Sequence, residues 1–106
     1  MAKTTTVREE HPTGTAPALA LGLLETKGLV PFIVGVDAML KAANVHLKTW
    51  RKADAALVLA VIEGDVASVR AAIDAGQHAA STIGTVNAAH VIARPHGGST
   101  DLAANG

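Results

Sequence analysis

Side chains able to do covalent or acid–base chemistry are few in this chain of 106 residues, and they do not converge. Cysteine is absent, which removes thiolate nucleophiles, thiolate zinc sites and disulfides. The candidate acids and bases Asp37, Asp54, Asp65, Asp74, His46, His78, His90 and His96 fall on different predicted elements. Catalysis needs a nucleophile beside a base, or a paired acid and base in one cleft. His90 and His96 are six apart and form no HxxxH pattern, so converging metal ligands are not expected. His46 and His78 read as solvent-facing or edge residues. Gly64-Asp65 is neither a P-loop nor a dinucleotide fingerprint and reads as a helix start. No catalytic residue, cofactor or metal is therefore expected, and the chain is not read as an enzyme.

What remains are charged groups suited to binding. Lys41 ends a predicted helix, where a lone lysine is ordinarily solvated. Arg94 precedes Pro95 and carries a planar fork of donors that fits backbone carbonyls. Lys52 and Asp54 flank a turn, in which an aspartate ordinarily caps its own backbone.

These groups need elements to position them. The chain allows one domain. Its formal net charge is zero with a pI near 7.0, which argues against phosphate-backbone recognition, so no nucleic-acid partner is expected. No apolar run is long enough to span a bilayer and no hydrophobic signal core opens the chain, so no membrane partner and a cytoplasmic location are expected. Hydrophobic residues make up 49% and charged residues only 17%. A 10.7 kDa monomer would expose roughly 5,500 Å². So thin a cover of charge points to association.

Residues 1–17 are Thr-rich, polar and aperiodic, and are expected to be a disordered tail. Ala18 to Leu24 reads as a strand, with Gly22 marking a close backbone approach. Glu25-Thr26-Lys27-Gly28 reads as a turn. Gly28 to Ala43 reads as a helix with Pro31 in its first turn and Ile33, Val36, Met39 and Leu40 at helical spacing. Asn44 fits a left-handed C-cap. Val45 to Lys52 alternates, with Val45, Leu47 and Thr49 on one side and His46, Lys48 and Trp50 on the other. Trp50, the one Trp, then lies on the less buried side and suits a subunit interface.

Leu57 to Ile62 reads as a buried central strand. Asp65 caps a second helix, with Ser68 at N3. Its buried stripe is Val66, Val69, Ile73, Gly76, Ala80 and Ile83, and Gly84 ends it. Val86 to Ile92 is a last strand, and the chain is expected to be flexible beyond His96. The order strand, helix, strand, strand, helix, strand predicts an α+β, ferredoxin-like fold: a four-stranded antiparallel sheet with two main helices on one face. That superfold hosts many functions.

The strings LETKGL, DAMLKAANV, EGDVASVRAAIDAG and HVIARPH, in this order and spacing, resemble the hexamer-forming, single-domain shell proteins of bacterial microcompartments. The resemblance covers residues 18–96, with residues 97–106 as a flexible tail. It implies a homohexameric tile with a central pore for small metabolites. Tiles pack edge to edge with neighbouring hexamers and other shell proteins, in a cytoplasmic microcompartment shell around encapsulated enzymes. It places Lys41, Asn44 and Arg94 at the hexamer–hexamer edge. It places Asp54, Ala55 and Ala56, preceded by Lys52, at the pore. The sequence departs from the family there: the pore turn has no glycine, and Ala55 offers a methyl group in place of a hydroxyl. Ala93 also takes the first place of the usual Pro-Arg-Pro-His string.

The ETKGL and HVIARPH strings are closer to members serving catabolic compartments than to carboxysome members. The alternative function is a soluble ferredoxin-like regulatory domain that binds a small effector between subunits.

Overall fold

The computed structural model describes residues 19–94. The expected tails at 1–17 and 97–106 lie outside the described residues. Strand β1 (Leu19–Lys27) leads into helix α1 (Leu29–Ala42) and strand β2 (His46–Lys52). A 3-10 turn at Asp54–Ala56 returns the chain into strand β3 (Leu57–Asp65), helix α2 (Val66–Ser81) and strand β4 (Thr85–Arg94). The four strands form one sheet in the order β2-β3-β1-β4, every neighbouring pair antiparallel. The α+β, ferredoxin-like architecture expected from the sequence is the one observed.

Both helices lie on one face, because alternation in β1 sends its even positions to them. Ala20, Leu24 and Thr26 are buried there. A Cβ added to Gly22 would come within 2.8–2.9 Å of the Val69, Ile73 and Ile62 side chains, so α2 crosses directly over that residue. Val58, Ala60 and Ile62 of β3 fill the same layer. Leu57, Leu59 and Val61, on the other face, are half-buried. The apolar run in β3 is thus fully buried on one side only.

Several boundaries differ from the sequence reading. Glu25, Thr26 and Lys27 do not turn. They continue β1, paired with β3 on one side and β4 on the other. Glu25 Oε1 accepts a hydrogen bond from Asn87 Nδ2 at 2.6 Å, where Asn87 is the extra residue of an irregularity in β4. Gly28 alone makes the corner, at φ 92°, a value open chiefly to glycine.

Helix α1 buries Pro31, Phe32, Gly35 and Met39. Ile33 and Leu40 lie outward, 55% and 44% exposed. The rotation follows from helix–helix contact: Gly35 and Gly76 meet where neither carries a Cβ, and that approach fixes which stripe of α1 faces inward. Asn44 is not a left-handed cap; the helix ends at Ala43 in an extended conformation with φ −158°.

Helix α2 begins as expected. Asp65 Oδ1 accepts from the Ser68 N–H and Oδ2 from the Ser68 hydroxyl, both at 2.9 Å. These two bonds hold the Asp65 carboxyl below the usual range. The helix closes earlier than expected, at Ser81. The N–H groups of Thr82, Ile83 and Gly84 bond back to the Ala79 and Ala80 carbonyls. Ile83 therefore lies past the helix and is exposed rather than part of the buried stripe.

Candidate functional site

The residues singled out from the sequence gather at the two ends of the β2–β3 hairpin. Lys41 occupies the last turn of α1, where its charge complements the helix dipole. Its side chain is 76% exposed, and Nζ sits 3.1 Å from Asp37 Oδ2 one turn back. Asn44 is exposed just beyond. The backbone there packs on the end of β3: a Cβ on Gly64 would stand 3.1 Å from the Asn44 carbonyl oxygen.

Arg94 ends β4 opposite Leu19. Its Nη2 reaches over β1 to Glu63 Oε2 at 3.3 Å. The partner that the chain itself provides is thus a carboxylate on β3. Glu63 is a focus for other groups as well, with His46 Nε2 3.3 Å and Lys48 Nζ 3.9 Å from its Oε1.

The β2 alternation read from the sequence breaks at Lys48. Leu47 pairs with Ile62, yet Thr49 pairs with Val61, so Lys48 is the extra residue of a β-bulge. The bulge puts Trp50 opposite Ala60, on the helix side with Leu47, not on the face of His46. Trp50 meets Phe32 there, ring centroids 5.8 Å apart at 48°. It remains 50% exposed even so.

At the opposite end, Lys52 closes β2 across from Val58, and Asp54, Ala55 and Ala56 turn the corner. Lys52 and Asp54 form no ion pair with each other among the described residues. The lack of glycine does not prevent left-handed backbone: Ala55 and Ala56 take φ 62° and 64°. Two hydrogen bonds impose it. The Gly28 N–H donates to the Ala56 carbonyl at 2.8 Å, and the Ala53 N–H to the Leu57 carbonyl at 2.7 Å. Left-handed alanine costs roughly 1 kcal/mol per residue relative to its preferred conformations. Ala55→Gly and Ala56→Gly are each expected to raise stability by about 0.5–1 kcal/mol, less the extra chain entropy of glycine. Equilibrium denaturation of the two variants measures it.

Glu63 was missed in the sequence, where it read only as the end of an apolar strand. A lone carboxylate facing His46 across a hairpin was the available signal. Among the described residues no group of acids, histidines or cysteines could hold a metal, and no helix is long and apolar enough to cross a membrane.

The fold is a small α+β unit that carries its distinctive groups at two extremities and, among the described residues, holds no cluster of metal-binding side chains. Residues 20–95 match the family described as the BMC domain. The chain is 52% identical over 77 residues to the bacterial microcompartment shell protein PduA of Citrobacter freundii, covering 73% of this chain and 83% of that one. It is 50% identical over 78 residues to the shell protein EutM of Salmonella typhimurium, covering 74% and 81%. To the carboxysome shell protein CsoS1B of Hydrogenovibrio crunogenus it is 43% identical over 83 residues, covering 77% and 86%. A solved microcompartment protein from Desulfitobacterium hafniense superposes with a TM-score of 0.66 at 31% identity, over 73% of this chain and 41% of that longer one. The chain belongs to the BMC domain family of bacterial microcompartment shell proteins, and its role is structural.

Proposed function

We propose that the chain assembles into homohexameric tiles that pack edge to edge into a microcompartment facet, each tile with a central hole for small metabolites. One observation carries the reading: the edge set and the pore set occupy opposite ends of one hairpin. Lys41, Asn44 and Arg94 stand where β2 begins and β3 and β4 end. Lys52, Asp54, Ala55 and Ala56 stand where β2 turns into β3. The seven residues of β2 separate them by about 20 Å. A ring with its hairpin tips inward brings the turns to a hole and the other ends to a seam.

The sides of such a wedge must be apolar. Leu29, Val30, Ile33, Leu40 and Trp50 are all large, hydrophobic and exposed in the single subunit. A neighbouring subunit would cover such a patch, and Trp50, braced on Phe32, is the anchor between subunits. Around the hole, Asp54 carboxylates about 8 Å apart would repel by roughly 2 kcal/mol per pair at an effective dielectric of about 20. Lys52 offsets that charge, and the Ala55 methyls set the rim. The chain performs no catalysis in this reading. Its partners are itself, neighbouring hexamers and other shell proteins, the enclosed enzymes and the metabolites that cross, and it resides in the shell within the cytoplasm. The lower identity to the carboxysome relative favours a catabolic compartment.

Native mass measurement across a dilution series tests the reading. A six-subunit ring that forms layers on concentration is expected. A lone subunit at every concentration overturns it. A trimer that binds a nucleotide or metabolite establishes the regulatory alternative instead.

A further inference from the structure

We infer that Glu63 is the positioning residue for Arg94, holding its guanidinium at the seam between tiles; this deepens, and rests on, the edge-to-edge reading above. Glu63 lies at the end of β3, on the sheet face that carries no helix, and only 16% of its side chain is exposed. Arg94 lies two strands away, at the end of β4. A free arginine side chain is long and loses considerable rotamer entropy when a partner orders it. Here the ordering is done in advance by one charge-assisted bond, Nη2 to Oε2 at 3.3 Å, which draws the side chain across β1.

That bond commits one of the five N–H donors of the guanidinium. The Arg94 side chain keeps 37% of its surface exposed, which leaves donors for carbonyls of another copy. The buried Nε has no acceptor among the described residues, and Glu63 is the one side chain among them that bonds the guanidinium.

The other side of Glu63 is also occupied. His46 and Lys48, both from β2, converge on Oε1, while Oε2 is left to Arg94. Lys48 makes this approach from the bulge itself. Two permanent cations, Lys48 and Arg94, thus share one carboxylate. Removing the carboxylate leaves them uncompensated on one face and frees Arg94 to swing off β1. The same device recurs at Lys41, whose Nζ is tethered by Asp37. Each seam cation has an anion of its own subunit to aim it.

The test compares purified full chains by native mass and by the critical concentration for sheet growth in electron microscopy. Glu63→Gln keeps the shape and removes the charge. It is expected to leave the rings intact and raise the critical concentration about tenfold, as loss of one charge-assisted hydrogen bond does. In an Arg94→Ala background the same substitution is expected to add nothing, an outcome that a merely structural role for Glu63 would not produce.

An equal loss with and without Arg94 overturns the inference. So does normal sheet growth by Glu63→Gln while Arg94→Ala tiles fail, in which case the seam role of Arg94 stands. Normal growth by Arg94→Ala removes the seam role itself and the inference with it. Should Glu63→Gln fail to fold, Glu63→Asp carries the test: it keeps the charge but withdraws it by one methylene, and an intermediate loss is expected, with unchanged growth counting against the inference.

Discussion

Lys41→Asp is expected to give rings of normal mass that never extend into sheets. The fold has little stake in this side chain. It is 76% exposed, its ion pair with Asp37 is an exposed i,i+4 pair worth about 0.3–0.5 kcal/mol, and its interaction with the helix dipole adds about 0.3–1 kcal/mol. The subunit and the proposed ring are expected to survive such losses. The proposed seam is not. At that seam, two lysines meeting across a two-fold would bury their methylene stems and donate to carbonyls at the partner helix end. With aspartate at 41, each subunit would bring two carboxylates there, 37 and 41, and no ammonium group. Four like charges would then face one another beside the negative end of both helices. Lys41→Ala removes the donor without adding charge and is expected to stop growth as well. Electron micrographs showing extended layers from either variant, alongside native spectra of intact rings, would end the assignment of Lys41 to the seam.

Gly76→Val carries the second large effect, and it falls on the fold. A Cβ at Gly76 would run into Met39 Cγ and lie 3.0 Å from both the Met39 sulphur and the Gly35 carbonyl oxygen. Met39 is fully buried and cannot withdraw to solvent. The backbone of α1 cannot yield unless the whole helix moves off the sheet. Overpacking of this kind costs about 3 kcal/mol, a large share of what a domain of this size has available. The expected result is a denaturation midpoint far below wild type, or chain recovered only as aggregate. A variant with near wild-type stability would mean that the two helices do not approach as closely as Gly35 and Gly76 imply.

How much of this could be read from the residues depends on the range of the interactions. Strand β3 and helix α2 announced themselves, one by a continuous apolar run, the other by Asp65 capping onto Ser68, both local signals. The outward turn of Ile33 and Leu40 was not legible. It is decided by which stripe of α1 meets Gly76, forty-odd positions away, and periodicity alone leaves the phase of such an apolar helix open. The face of Trp50 was lost for a related reason. A single extra residue at Lys48 reverses every side chain beyond it, and nothing in HLKTWRK signals a bulge. Of the candidate site, the family strings brought out Lys41, Asn44 and Arg94 and the turn at Asp54. Glu63 escaped because its meaning lies in three strands at once.

The paired left-handed alanines at positions 55 and 56 carry a last implication for permeation. Glycine there would let the corner sample several backbone basins. A methyl group on each residue, with both ends of the corner pinned by main-chain hydrogen bonds, confines it to one. An aperture ringed by six such corners would sieve solutes by a rigid outline and not by breathing. Its cutoff should then be sharp in molecular width and nearly indifferent to temperature.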